Sequence, residues 1–448
     1  MNSKLLAAVS AAALCTAAMP APVAANAANG GTMRNMSTMD IVKDMGIGIN
    51  LGNTFESCGD WIAQWGDGTP NSYETAWGSP TITEATIKGY ADEGFGVLRV
   101  PVAWSNLMSS DGNYTISDAY KARVRQVIDW ALEDDMYVIV NLHWDGGWLE
   151  NLPSQHDEVM KKYSAIWQQL SEEFKDYGDK LMFEAQNEEL GNWKVDENQC
   201  YTYTNEVNQT FVNIVRNSGG NNEQRHLLIS GYNTDITKTC DSRFVMPDDP
   251  AGRCALSVHY YTPSPFAILE EDASWAKNRT TWGTDSDIAE LNRYFDMLVN
   301  TYSSKGVPVI IGEYGCPRKG KELESVQKYL SSVCEAALSR EGICPVLWDT
   351  TDLHYDRKNG KMTDQTLHDQ FIALRDKYRP AEPFTPAPVI GDVNGDSTVN
   401  SADLVVLSKY LLGYESINDP QVCDVDQDGK INVFDFVALR EIVASVNQ

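Results

Sequence analysis

Basic side chains are scarce in this 448-residue chain: 36 Lys and Arg stand against 63 Asp and Glu, a net charge of −27. A surface that acidic repels phosphate backbones and anionic lipid headgroups. It argues against nucleic acid as a partner and leaves neutral polymers and bound cations. No CxxC pair occurs, so neither a zinc site nor a thioredoxin-type motif is on offer. No GxGxxG follows the first apolar run, where GINLGNTFES stands instead, and no GxSxG elbow exists. Beyond Pro22 no apolar run approaches membrane-spanning length.

What is present begins with a leader. Lys4 supplies a positive charge, Leu5 to Ala18 a short apolar run, and Ala25-Asn26-Ala27 a small-x-small cleavage pattern. The run is too short to span a bilayer, and Pro20 and Pro22 end it. Residues 1–27 are therefore expected to be a signal peptide and the protein to be secreted, without membrane insertion. The mature chain then starts near Ala28 and keeps eight cysteines. Export makes disulfides possible, with Cys334 and Cys344 one conceivable pair; buried free thiols are an equal alternative.

The length suits one large domain and a small one, and 42% hydrophobic residues supply an ordinary core. Between residues 35 and 380, β-rich apolar runs recur at 47–53, 96–102, 137–143, 181–187, 226–232, 255–261, 307–313 and 345–350. They are apolar throughout, as strands buried on both faces should be. Helix-period stretches lie between them at 82–93, 118–134, 157–177, 201–217, 286–304 and 322–340. Eight such alternations predict an α/β protein, a (β/α)₈ TIM barrel, irregular between the fifth and sixth strands where no full helix fits. Residues 381–390 are Pro-rich and read as a stiff linker.

Residues 391–446 have another character. DVNGDSTVNSAD (392–403) and DVDQDGKINVFD (424–435) are an internal duplication, each followed by a helical stretch. Calcium takes six to eight oxygens around a tight loop. The first loop offers Asp392, Asn394 and Asp396 at positions 1, 3 and 5, the Thr398 carbonyl at position 7 and Asp403 at position 12. The second offers Asp424, Asp426, Asp428, the Lys430 carbonyl and Asp435, with Gly429 at the sharp turn where the first loop has Ser397. Two calcium ions are expected. The pattern resembles a type I dockerin, with Asp instead of the sensor EF-hand's Glu at position 12 and no helix before the first loop. That resemblance implies a cohesin module on a scaffoldin as partner. It also implies partner contacts at Ser401 and Ala402 in one repeat and at Val433 and Phe434 in the other, which differ and so predict a single binding orientation.

In a TIM barrel, chemistry sits at the C-terminal ends of the strands. Arg99, His143, Asn187, Glu188, His259, Tyr261, Glu313 and Trp348 all fall at or near those ends. Each alone has a plain structural reading, such as a paired charge, a core histidine or packing. Two carboxylic acids on different strands of one mouth suit glycosidic-bond cleavage, in which one protonates the leaving oxygen and the other attacks or activates water. Glu184, four residues before Glu188, reads as a deeper, hydrogen-bonded structural group.

The motifs GINLGNTFES, ETAWGSP, VLRVPVAW, VIVNLHWDGGW, MFEAQNEE, TFVNIVRNSGGNN, SVHYY and VIIGEYG resemble glycoside hydrolase family 5. Among its subfamilies they look most like subfamily 4, which holds endoglucanases, xyloglucanases and lichenases. The resemblance implies a retaining mechanism with Glu188 as general acid/base and Glu313 as nucleophile. It implies that Arg99 and Tyr261 orient Glu313, that Asn187 bonds the sugar 2-hydroxyl, that His143 and His259 touch the sugar or tune the acid, and that Trp348 stacks at the cleavage point. Two departures stand out. Glu189 replaces the family's usual Pro and is expected to point outward. Trp144 replaces the second of two His residues found in many relatives, which alters sugar contacts without touching His143.

Trp61, Trp65, Trp148 and Trp193 fall in mouth loops and favour an open groove and internal cleavage of a β-1,4-glucan such as cellulose, mixed-linkage glucan or xyloglucan. A dockerin would tether the secreted enzyme to a cell-surface cellulosome. The alternatives are a β-mannanase or glucomannanase of the same family and a non-catalytic scaffold-bound glycan-binding barrel. The last predicts loss of one carboxylate, and both are present. No cofactor is expected for catalysis. From Asp392 to Gln448 ten acidic residues face three basic ones, so this region repels itself without cations. Chelation is expected to melt its helices, read by circular dichroism across an EDTA and calcium titration; a signal indifferent to both would contradict the calcium assignment.

Overall fold

The computed structural model describes residues 31–189, 195–379, 389–395, 398–414, 416–417, 420–426 and 428–446. The expected leader, Trp193, Asp396 and most of the linker lie outside the described residues. Eight parallel strands, β1 (Gly48–Asn50), β2 (Val97–Val100), β3 (Tyr137–Asn141), β4 (Leu181–Glu184), β5 (Leu227–Asp235), β6 (Cys254–Tyr260), β7 (Val309–Tyr314) and β8 (Ile343–Leu347), close in sequence order. β8 returns to β1 in register Gly48 with Val346, which completes the TIM barrel. β4 is shorter than its apolar run, so Asn187 and Glu188 sit beyond it rather than on it.

Each barrel helix exists because one stripe is apolar. The helix Asp118–Glu133 buries Tyr120, Val124, Val127, Ile128 and Ala131, one face at 3.6-residue period. Capping boxes start two others: Thr83 with Thr86 before Glu84–Asp92, and Thr284 with Asp287 before Asp285–Thr301. Between β5 and β6 only the four-residue Ile236–Thr239 forms, the irregular unit expected from the short gap.

Several helices were not foreseen: the short Asp60–Trp65, Pro70–Glu74 and Ser264–Ala267, the first of which places Trp61 and Trp65 on a helix and not in a loop, and two more that pack on the barrel. Thr38–Asp44 packs Ile41 and Val42, with the following Met45, against Val97, Ile139, Met182 and Ile310 at the foot of the barrel. Its seven residues are too few to show a period. Gln365–Tyr378 lies against Leu323–Leu338 and buries little beyond Leu367 and Phe371, so its pattern is faint. All eight described cysteines are free, which rejects the conceivable Cys334–Cys344 bridge.

The duplicated region has its own core. Helices Ser401–Leu411 and Val433–Val446 gather around Val393, Leu407, Cys423, Leu439 and Val443.

Candidate active site and calcium loops

Arg99 occupies the centre of the barrel mouth with no solvent exposure. Its donors are matched to four acceptors on three strands, β1, β4 and β7, or the turn after β4. Nε donates to Glu184 Oε2 at 2.7 Å, Nη1 to Asn50 Oδ1 at 2.9 Å and to Glu313 Oε1 at 2.8 Å, and Nη2 to Asn187 Oδ1 at 3.0 Å. Burial works against the guanidinium charge, but the carboxylates of Glu184 and Glu313 outweigh it and the net direction is up. Glu184 also accepts from Ser257 Oγ at 2.6 Å and is fully buried, the structural group its depth suggested. Asn50 in turn donates to the carbonyls of Gly312 and Leu347, tying β1 to β7 and β8.

Glu313 ends up held at both oxygens, with Tyr261 OH donating to Oε2 at 3.0 Å. Burial raises the Tyr261 hydroxyl well above its ordinary range, helped by the two nearby carboxylates, so it remains a donor. Glu188 lies across from it. His259 Nδ1 meets Glu188 Oε1 at 2.5 Å and stands 3.6 Å from Glu313 Oε2. An oxygen of Glu188 and one of Glu313 lie within 4.8 Å of each other. Burial pushes the Glu188 carboxyl up, but its bond to His259 and that group's charge outweigh it and the net direction is down. His259 itself is pulled down by burial and raised more by Glu313 and Glu188. Gly312 makes this closeness possible, because a Cβ there would stand 3.0 Å from Ser257 Oγ and 3.2 Å from His259 Nε2.

His143 Nδ1 accepts from Asn141 Nδ2 at 3.1 Å, and the ring stacks parallel to Trp348, ring centres 5.9 Å apart. Burial, with the positive Arg99 and His259 adding to it, holds His143 well below its ordinary value, so it is a neutral imidazole. All eight mouth residues named from sequence therefore converge. Asn50, Asn141, Ser257 and Thr234 were missed; the only signal was a polar residue inside an apolar run, as Asn50 is in GINLGN.

Two placements differ from a simple surface reading. Glu189, expected to point outward, is covered and not in solvent, at 3% exposure. It lies near Asp145 and Tyr163, under the helix layer that covers the outside of a barrel, and its Oε2 has no hydrogen-bond partner among the described residues. Trp148 is no open platform either. Its Nε1 donates to Asp145 Oδ2 at 2.8 Å and Lys162 covers its ring at 4.3 Å. Trp61 and Trp65 are exposed, as a stacking role requires.

The two loops of the C-terminal region share one construction. In the first, Asp403 accepts from the backbone of Asn394 and Asn400; in the second, Asp435 accepts from Val425 and Asn432. Oxygens of Asp424, Asp426 and Asp428 converge within 4.8 Å, and Asp424 Oδ1 is buried without a partner among the described residues. A hard cation fits that donor set. Burial and the neighbouring carboxylates push Asp426 up, the repulsion such an ion relieves. Ser401, Ala402, Val433 and Phe434 are all exposed.

A closed (β/α)₈ barrel with two facing carboxyls at its mouth is the frame of a glycosidase. Residues 62–353 match the cellulase (glycosyl hydrolase family 5) family, and residues 390–443 match the dockerin type I domain. Endoglucanase B of Clostridium cellulovorans is 32% identical over 395 residues, 85% of this chain and 84% of that protein. A xyloglucan-specific endo-β-1,4-glucanase of Bacteroides ovatus is 33% identical over 73% of this chain and 68% of its own length. A broad-specificity subfamily 4 endoglucanase from an uncultured bovine rumen ciliate superposes with TM-score 0.70 at 33% identity, covering 76% of this chain and 99% of that one. The chain belongs to glycoside hydrolase family 5: it is a cellulase-type endoglucanase carrying a type I dockerin domain.

Burial holds the Glu189 carboxyl well above its ordinary value of 4.5, with the Glu188 charge adding to the effect. A group raised on folding contributes fully below its unfolded pKa and loses that contribution as pH rises through the folded value. Glu189→Gln removes the penalty, so the variant's melting temperature relative to wild type should climb from pH 4 to pH 8. A difference flat with pH would show Glu189 ionised or solvated.

Proposed function

We propose that the protein is a retaining endo-β-1,4-glucanase in which Glu313 is the nucleophile and Glu188 the general acid/base. The observation that carries this is the close approach of the two carboxyls, within 4.8 Å at their nearest oxygens. Inverting enzymes hold theirs ~6.5–9.5 Å apart to admit a water. Arg99 and Tyr261 fix both oxygens of Glu313; burial pushes its carboxyl up, and the charges of His259 and Arg99 oppose that only in part. Glu313 attacks the anomeric carbon while Glu188 gives its proton to the glycosidic oxygen. The bond to the leaving sugar breaks and a glycosyl-enzyme ester forms. Glu188, now a carboxylate, takes a proton from water, which attacks the same carbon and frees Glu313. The short His259–Glu188 contact supports a shared proton that returns to Glu188 as substrate excludes water. Arg99 holds the Asn187 oxygen, which leaves Nδ2 as the side that donates to the sugar 2-hydroxyl. Neutral His143 contacts the sugar, and Trp348 stacks beneath it at the cleavage point.

The substrates are plant cell-wall β-glucans: cellulose, mixed-linkage glucan and xyloglucan. The exposed Trp61 and Trp65, and the specificities named for the Bacteroides and ciliate relatives, support that breadth. A mannanase would use the same carboxyls and differ at one hydroxyl. Residues 1–27 export the chain, 35–380 catalyse, 381–390 link, and 391–446 bind two calcium ions and dock to a cohesin on a cellulosomal scaffold. In the first loop Asp392, Asn394, Asp396, Thr398 and Asp403 hold calcium; in the second Asp424, Asp426, Asp428, Lys430 and Asp435 do. Ser401 and Ala402 against Val433 and Phe434 make the two docking faces unequal, the second more apolar, which favours one orientation.

Reducing-sugar release from barley β-glucan, carboxymethylcellulose, xyloglucan and glucomannan tests the reading with wild type and Glu313→Ala side by side. Wild type should cleave at least one glucan and the variant lose roughly 10³-fold or more. Retained activity in Glu313→Ala would remove the nucleophile assignment, and cleavage of glucomannan alone would move the enzyme to the mannan-active side.

A further inference from the structure

The turn after β3 is built against the preference of its residues. Asp145, Gly146 and Gly147 follow one another with φ of 38°, 77° and 72°, all left-handed. Two glycines accept this freely, but Asp145 does not. The fold holds it there with a buried carboxylate that accepts from Ser105 N at 3.0 Å, Ser105 Oγ at 2.6 Å and Trp148 Nε1 at 2.8 Å. The consequence falls on the residue just before the turn. Trp144 is 48% exposed, whereas its neighbour His143 is 7% exposed and faces Trp348. The indole runs over Gly147, where a Cβ would come within 3.2 Å of its Nε1. Trp144 is also absent from the residues packed on the barrel core. A large apolar ring is thus held out of the interior, directly after the strand end that supplies His143, by a turn that also locks Trp148 in place. Unfavourable backbone geometry held by surrounding bonds is a mark of functional positions.

We infer that Trp144 is a specificity-determining sugar platform, its indole face stacking on a glucosyl ring of the chain that lies across the mouth beside His143 and Trp348. The inference rests on the glucanase reading above and adds a contact to it. A β-glucosyl unit carries its ring hydroxyls equatorially, so both faces present flat C–H surface to an aromatic ring. A mannosyl unit has an axial 2-hydroxyl that roughens one face. Where relatives place a second imidazole, able to bond one hydroxyl, this chain places a surface that grips a whole ring and favours gluco over manno units.

The test is binding and turnover by Trp144→Ala and Trp144→Phe. In a Glu188→Gln background, calorimetry with cellotetraose should show about tenfold weaker binding for Trp144→Ala and near-parental binding for Trp144→Phe. In the active enzyme, KM for barley β-glucan should rise by a similar factor with kcat within about twofold, and glucomannan should suffer less. Melting temperatures near wild type separate this from misfolding. Unchanged affinity and KM in Trp144→Ala, with wild type active on glucan, would overturn the platform and leave the catalytic reading standing. A wild type inactive on every glucan would overturn that reading, and the platform with it.

Discussion

One buried charge organises this barrel. The Arg99 guanidinium cannot reach water, so every strand around it must present an acceptor: Asn50 from β1, Glu184 from β4, Asn187 from the turn after β4, and Glu313 from β7. Burying an ion costs several kcal/mol unless its partners are well placed, and removing one partner leaves a lone charge worth roughly 3–5 kcal/mol of instability. The geometry is therefore stiff. Glu184 pays no part in the chemistry, yet it neutralises the cation from below while Glu313 does so from above, and Ser257 fixes Glu184 in turn. The position of Glu313 follows from the requirement that the arginine be satisfied.

The same mouth sets an electrostatic contrast between the two carboxyls. Glu313 is buried and clamped by a permanent cation and a phenol. Glu188 projects further, 44% of its side chain exposed, and among the described residues its hydrogen bonds are to His259 and, at 3.4 Å, Thr234. Under the proposed mechanism, the fixed group would attack and the freer one would meet the leaving oxygen and exchange a proton with a histidine. Environment, not residue type, divides the roles.

Much of this was legible in the chain. Eight apolar runs in alternation with amphipathic stretches define a parallel sheet covered on both faces, and GINLGNTFES in place of a Gly-rich phosphate loop favoured a barrel over an open doubly wound sheet. The duplicated acidic loops were readable because ligand spacing is local, and Asp403 and Asp435 do close their loops alike. Other features depend on depth, which sequence does not carry. Glu189 was expected to point outward, but its burial was not legible, because β4 ends at Glu184 and the outside of a barrel is covered by helices. Trp148 and Trp144 look equivalent in HWDGGW; only the left-handed turn at Asp145 decides that one is locked and the other exposed. The seven-residue helix at the barrel foot was too short to declare itself.

The central claim is that two carboxyls this close act by double displacement. Proton NMR of a cello-oligosaccharide during the first minutes of hydrolysis reads the configuration of the newly formed anomeric centre before mutarotation. The account predicts that the β-anomer appears first and the α-anomer grows in only as the solution equilibrates. The α-anomer appearing first would contradict it, and would mean that water, not Glu313, attacks the sugar.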